Sequence, residues 1–157
     1  MALPDNTGPR LSARALLVEN GRLLLVNAYP DAVNATLETI LWCAPGGGIE
    51  KHQSVPDNLA REVFEETGLT VEIGALVGFN EFHDPEGSFH QVDLFFRARL
   101  VSGQLTESWR DADDIVTQRR FFSRDELAGI RYKPDRMQQM AFDEGPVIYD
   151  PLEQIIL

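Results

Sequence analysis

Three glutamates, Glu62, Glu65 and Glu66, stand at i, i+3 and i+4 in the stretch LAREVFEETGL. On a helix that spacing puts their carboxylates on one face, where each like-charge pair costs roughly 0.2–0.5 kcal/mol. Glu65 and Glu66 also fall in the last turn of such a helix, where the macrodipole disfavours anions. A bound divalent cation reverses both penalties, and clustered carboxylate oxygens suit Mg²⁺ or Mn²⁺. The bland alternative is a solvated acidic face on which Arg61 makes an i,i+4 ion pair with Glu65.

The element that must carry these carboxylates is a helix over 54–67. Ser54 is a good N-cap, Pro56 sits in the first turn, where its missing N–H does no harm, and Gly68 stands where a left-handed residue ends a helix. Val55, Leu59 and Val63 recur every four residues and supply a buried stripe. Before the helix, residues 12–19 and 22–29 read as two strands around Asn20-Gly21, a strong hairpin signal. A looser stretch, DAVNATLET, leads to an apolar run at 40–44 and a break at Pro45-Gly46-Gly47-Gly48. After the helix, strands are expected at about 70–82, 88–101 and 115–122, with short helices at 124–129 and 134–143. In 88–101, apolar Val92, Leu94, Phe96, Ala98 and Leu100 alternate with Asp93, Phe95, Arg97 and Arg99, a period of two. The order predicts an α/β fold, a mixed sheet covered by helices.

Composition narrows the partners. The 157 residues carry 25 Asp and Glu against 14 Lys and Arg, a net charge of −11. That balance argues against nucleic acid and anionic membranes, which call for a basic surface. It leaves cations, or anions that arrive with cations, as partners. The length fits one domain, with residues 1–10 expected as a mobile N-terminal tail and 11–157 as the folded domain. The single cysteine, Cys43, and the absence of a leader-like start or a long apolar run point to a cytoplasmic protein. The apolar end, 151–157, is left open between docking on its own domain and docking on a partner subunit in a homodimer.

The stretch GGGIEKHQSVPDNLAREVFEETGL at 46–69 closely resembles the signature of the Nudix hydrolases, Gly-x5-Glu-x7-Arg-Glu-U-x-Glu-Glu-x-Gly-U with U aliphatic. Gly47, Arg61, Glu62, Val63, Glu65, Glu66, Gly68 and Leu69 occupy its positions. Gln53 stands where the signature has its first glutamate, which bears on the number of metals and the rate more than on the type of reaction. The resemblance implies a single-domain α/β/α sandwich with a mixed sheet. It also implies a metal-dependent pyrophosphohydrolase that cleaves a nucleoside diphosphate linked to another moiety, with a small-molecule nucleotide as substrate. It assigns Gly47, Glu62, Glu65 and Glu66 to metal, with Mg²⁺ or Mn²⁺ as cofactor, and Arg61, Glu62 and Glu65 to catalysis. Substrate-binding residues are not assigned. Pro85, sixteen residues beyond Leu69, gives ADP-ribose a slight preference. Glu81, Glu86, Glu107, Asp111, Asp113 and Asp114 are candidates for a general base. Phe79, Phe82, His83, Phe89 and His90 could line a base pocket, though strand aromatics more often pack a core. Trp42 is expected in the core. The alternative function, motivated by Gln53, is a non-catalytic Nudix domain that binds a nucleotide or a partner.

Overall fold

The longest N-terminal strand, β1 (Arg10–Glu19), organises the chain around itself. A turn at Asn20-Gly21, both with positive φ, returns it antiparallel into β2 (Arg22–Asn27), as the dipeptide predicts. The structure, a computed structural model, describes residues 8–30 and 35–156. The tail expected at 1–10 therefore lies outside the described residues up to position 7, and Arg10 opens β1. Part of the DAVNATLET stretch, 31–34, is likewise outside them.

The remaining elements follow in order: β3 (Leu41–Cys43), β4 (Gly46–Gly48), α1 (Val55–Thr67), β5 (Thr70–His83), β6 (His90–Ser102), β7 (Arg119–Ser123), α2 (Arg124–Leu127), β8 (Arg131–Tyr132), α3 (Met137–Phe142) and β9 (Ile148–Gln154). The sheet runs β8-β3-β2-β1-β6-β5-β9, with β4 paired to β1 and β7 to β2. It is mixed: β1 lies parallel to β6, β5 antiparallel to β6 and parallel to β9.

Both sheet faces are covered. Ala13, Ala15, Leu17 and Leu24 pack on Leu59 and Val63 of α1. From the same strands, Leu16, Leu23 and Leu25 point the other way, against Trp42, Phe122, Met137 and Met140. Alternating side chains thus feed two cores, and the result is the expected α/β/α sandwich. Trp42 is in the core as predicted, edge-on to Phe122 with ring centroids 5.0 Å apart.

Four expectations change. The glycine run at 46–48 is a short strand rather than a break, because Gly46–Gly48 pair with Ser12–Arg14. The strand expected from 115 begins at Arg119. The N–H groups of Ile115 and Val116 are taken by the Asp111 carboxylate, and those of Thr117 and Gln118 by Asn27 Oδ1, so they are not free for a ladder. The last helix starts at Met137, since Pro134 is used in a turn that closes with Met137 N–H on its carbonyl. In β6 the face carrying Asp93 and Phe95 is the more deeply buried, because helices and loops cover both faces of the sheet. The apolar end docks on its own domain: β9 pairs with β5, and Tyr29 Oη donates to the Ile156 carbonyl at 2.8 Å. No described helix is long and apolar enough to cross a membrane.

Candidate active site

The local folding of α1 follows its sequence closely. Ser54 Oγ accepts from Asp57 N–H at 3.2 Å, and Gly68, with φ 76°, closes the helix by donating to the Phe64 carbonyl at 2.8 Å. A buried asparagine that the signature does not specify joins this helix to the loop before it. Asn58 donates through Nδ2 to the Gly48 carbonyl (3.2 Å), and its Oδ1 accepts from Glu50 N–H (3.1 Å) and Arg61 Nη2 (3.2 Å). Ser12 Oγ donates to the Gly47 carbonyl at 3.0 Å, holding that oxygen in place from β1. Gly46 is required where it lies: a Cβ there would sit 2.0 Å from the Ala13 carbonyl oxygen.

The signature side chains converge on β4 from α1. Glu62 presses its carboxylate against Gly47, so closely that a Cβ on Gly47 would stand 2.9 Å from it. Glu66 Oε2 accepts from Gly46 N–H at 3.2 Å. Arg61 bonds Glu65 Oε1 through Nη1 at 2.9 Å and reaches Glu62 (3.4 Å) and Glu50 (3.5 Å) through Nη2. Burial raises the Glu62 carboxyl above its ordinary value, with Arg61 opposing. Burial pushes Glu66 up to about 8, against the opposing pull of Arg14 and the Gly46 N–H.

Gly47, Arg61, Glu62 and Glu65 are therefore one connected group, with Glu66 on the adjoining backbone. Among the described residues no three His, Cys, Asp or Glu side chains stand preassembled as a cage. Glu65 is turned to Arg61 and Glu66 to Gly46. The donor set nonetheless fits a hard divalent cation: it is all oxygen. Glu66 is also a carboxylate in want of positive charge. Gln53 is exposed and donates to Glu50 at 3.4 Å, with no hydrogen bond to Glu62, Glu65 or Glu66 among the described residues.

The base candidates separate. Asp111 is buried and consumed by the backbone N–H groups of its own loop. Glu81 is held by Tyr149 Oη (2.6 Å) and His90 Nε2 (3.0 Å), which together lower its pKa. Glu86, Glu107 and Asp114 are exposed. Asp113 is exposed too, and its charge adds to the rise of Glu62 behind burial and Glu65.

The C-terminal end of α1 carries no basic residue in its last turn. Two residues from far along the chain take that place: Trp109 Nε1 donates to the Glu65 carbonyl at 2.8 Å, and Arg119 Nε donates to that of Glu66. Neither was singled out by sequence, since each acts through a fold contact and belongs to no local motif.

Beyond the signature loop, on the sheet face away from α1, lies a cavity of about 220 Å³. Tyr29, Trp42, Phe82 and Phe89 supply aromatic wall, Arg14, Asn80, Gln91 and Asp93 are polar, and Glu153 to Ile156 contribute from the C-terminal segment. Of the aromatic candidates, Phe82 and Phe89 line this cavity. Phe79 does not, being stacked on Tyr149, and His83 and His90 are absent from the lining. Arg10 bridges the cavity and the signature loop: it lines the former, and its Nη2 lies 2.5 Å from where a Gly48 Cβ would be.

The NUDIX domain profile matches residues 8–142. Diphosphoinositol polyphosphate phosphohydrolase 2 of Rattus norvegicus is 30% identical over 106 residues, 66% of this chain and 51% of that protein. A MutT NUDIX hydrolase from Burkholderia pseudomallei aligns with a TM-score of 0.63 and 27% identity, over 76% of this chain and 87% of that one. An ADP-ribose pyrophosphatase from Streptococcus suis aligns with a TM-score of 0.62 and 24% identity, over 93% and 100%. The chain spans about half the length of the curated relatives it matches. With the signature seated on α1 and β4, and a profile match that covers nearly the whole described chain, the protein belongs to the NUDIX domain family.

Proposed function

We propose that this chain is a divalent-cation-dependent pyrophosphohydrolase that cleaves the pyrophosphate bond of a nucleoside diphosphate linked to a further moiety, with ADP-ribose among the first substrates to try. The observation that carries the reading is the convergence of Glu62 on Gly47 and of Glu66 on Gly46, next to an aromatic-walled cavity. Relatives named for cleaving diphosphoinositol polyphosphate and ADP-ribose support the reaction class.

Gly47, Glu62, Glu65 and Glu66 are the residues that would hold Mg²⁺ or Mn²⁺. When bound, the cation supplies charge neutralisation for the diphosphate and acidifies the attacking water. The chain's own residues do the rest. Arg61 orients Glu65, and Ser12 fixes the Gly47 carbonyl. Arg10, which makes no ion pair among the described residues, binds phosphate at the mouth of the cavity. The nucleoside enters the cavity, where aromatic side chains provide stacking surface and exclude water. The proton of the water passes to an exposed acid of the loop after β6, and Asp113, whose charge reaches Glu62, is the first to replace.

The test is release of nucleoside monophosphate from ADP-ribose, sugar nucleotides and dinucleoside polyphosphates, with Mg²⁺ and with Mn²⁺. Glu65→Gln lowers turnover by about a hundredfold or more while the thermal melt stays unchanged. No release from any substrate with either metal overturns the reading, and nucleotide binding without turnover assigns the chain to the non-catalytic alternative.

A further inference from the structure

Asn58 is buried on α1 with Leu59 and Val63, and its exposure is 0%. Asparagine is a poor helix former in an interior position, and burying its amide is costly unless the amide is hydrogen-bonded. An aliphatic side chain there would serve packing better. The amide instead holds three groups of the candidate site: the Gly48 carbonyl, the Glu50 N–H and Arg61 Nη2, at 3.2, 3.1 and 3.2 Å.

The contact to Arg61 matters most, because that guanidinium is also within reach of the carboxylates that would hold a cation. Arg61 Nη1 donates to Glu65 Oε1 at 2.9 Å. Around Arg61 Nη2 stand three acceptors: Asn58 Oδ1 at 3.2 Å, Glu62 Oε1 at 3.4 Å and Glu50 Oε1 at 3.5 Å. A guanidinium Nη carries two N–H bonds, so the three acceptors compete for it. Asn58 lies nearest and is fixed by its other two bonds, whereas the Glu50 side chain is 62% exposed. Without Asn58 a donor is released towards Glu62, whose carboxylate a cation needs. Gln53 offers nothing in its place, since its amide is bonded to Glu50.

Resting on the reading of these carboxylates as a divalent-cation site, we propose that Asn58 is a positioning residue. It draws the Arg61 guanidinium towards the signature loop, which leaves Glu62 open to the cation while Arg61 still orients Glu65. Its role is exerted through Arg61 and not on the metal itself.

Calorimetric titration of Mn²⁺ into the full chain tests this without any turnover. Asn58→Leu weakens Mn²⁺ binding about tenfold, the loss expected when the support of a ligand is removed. Asn58→Asp keeps the acceptor for Arg61 and the Glu50 N–H and loses only the donor to Gly48, so its affinity stays within about threefold. In an Arg61→Met background, where there is no guanidinium to restrain, Asn58→Leu changes the affinity less than about twofold. The same loss in both backgrounds means a role confined to the loop or the fold and overturns the proposal, as does unchanged affinity in Asn58→Leu. Asn58→Ala removes the same bonds without crowding and takes the place of Asn58→Leu if that variant does not fold. Nucleotide release is measured alongside. Mn²⁺ binding with the expected pattern but no release from any substrate overturns the pyrophosphohydrolase reading and leaves the positioning role standing. Release with a Mn²⁺ affinity insensitive to Asn58 overturns the positioning role alone, and no Mn²⁺ binding by the unaltered protein overturns both.

Discussion

At the scale of single residues, the site is governed by how much charge each carboxylate can shed. Glu66 is the extreme case: burial pushes it up to about 8, far above an ordinary glutamate. A carboxyl raised in the folded state stabilises the protein fully at acid pH, and that contribution is lost as pH rises through the folded value. A cation binds only the ionised form and so relieves the loss. Mg²⁺ should therefore raise the melting temperature more at about pH 8.5 than at about pH 6. Thermal melts of the protein with and without metal at the two pH values check this, and Glu66→Gln should erase the difference. Gln53 belongs to the opposite extreme. It is exposed and tied to Glu50, so the departure from the signature falls outside the group formed by Glu62, Glu65 and Glu66.

At the scale of elements, α1 is held at both ends by different means. Its N-terminal end is a local matter of Ser54, Pro56 and the buried Asn58. The opposite end depends on the long loop after β6, whose Trp109 packs edge-on to Phe64 at 5.3 Å and covers Gly68. Trp109 is thus a positioning residue for Glu65, acting through that residue's carbonyl. Trp109→Phe keeps the ring and removes the donor, at a cost of about 1 kcal/mol in stability. It should lower kcat severalfold with KM nearly unchanged, which steady-state kinetics resolves. An equal rise in KM would place Trp109 in substrate binding instead.

At the scale of the whole molecule, the cavity is closed by parts of the chain that are far apart in sequence. Arg10 and Arg14 come from the first strand, Asn80 and Gln91 from the middle of the sheet, and Glu153 to Ile156 from the C-terminal segment. Ile155 N–H bonds the His83 carbonyl at 2.9 Å, and Tyr29 reaches the Ile156 carbonyl. Deleting residues 155–157 leaves β9 in place and opens that wall. KM should rise about tenfold while kcat stays within about twofold, because the carboxylates on α1 are untouched. The same kinetics would refute this if kcat collapsed and KM did not.

The glutamate-bearing helix, its caps and the hairpin at Asn20-Gly21 could be read from sequence, because each depends on residues within a few positions of one another, while the sandwich class came with the resemblance to the Nudix signature. Helical periodicity alone places Glu62, Glu65 and Glu66 on one face. The short strand at Gly46–Gly48 could not be read, since glycine carries no pattern and the pairing is made by β1, more than thirty residues earlier. The shortened strand at Arg119–Ser123 was hidden for a similar reason: Asn27, some ninety residues upstream, takes the backbone donors that a strand would need. The cavity lining was the least legible. Gln91 and Asp93 share a face of β6 by strand alternation alone, but only the tertiary structure pairs Asn80 with Asp93 across the sheet and brings Glu153 to the Asn80 amide, 73 residues away.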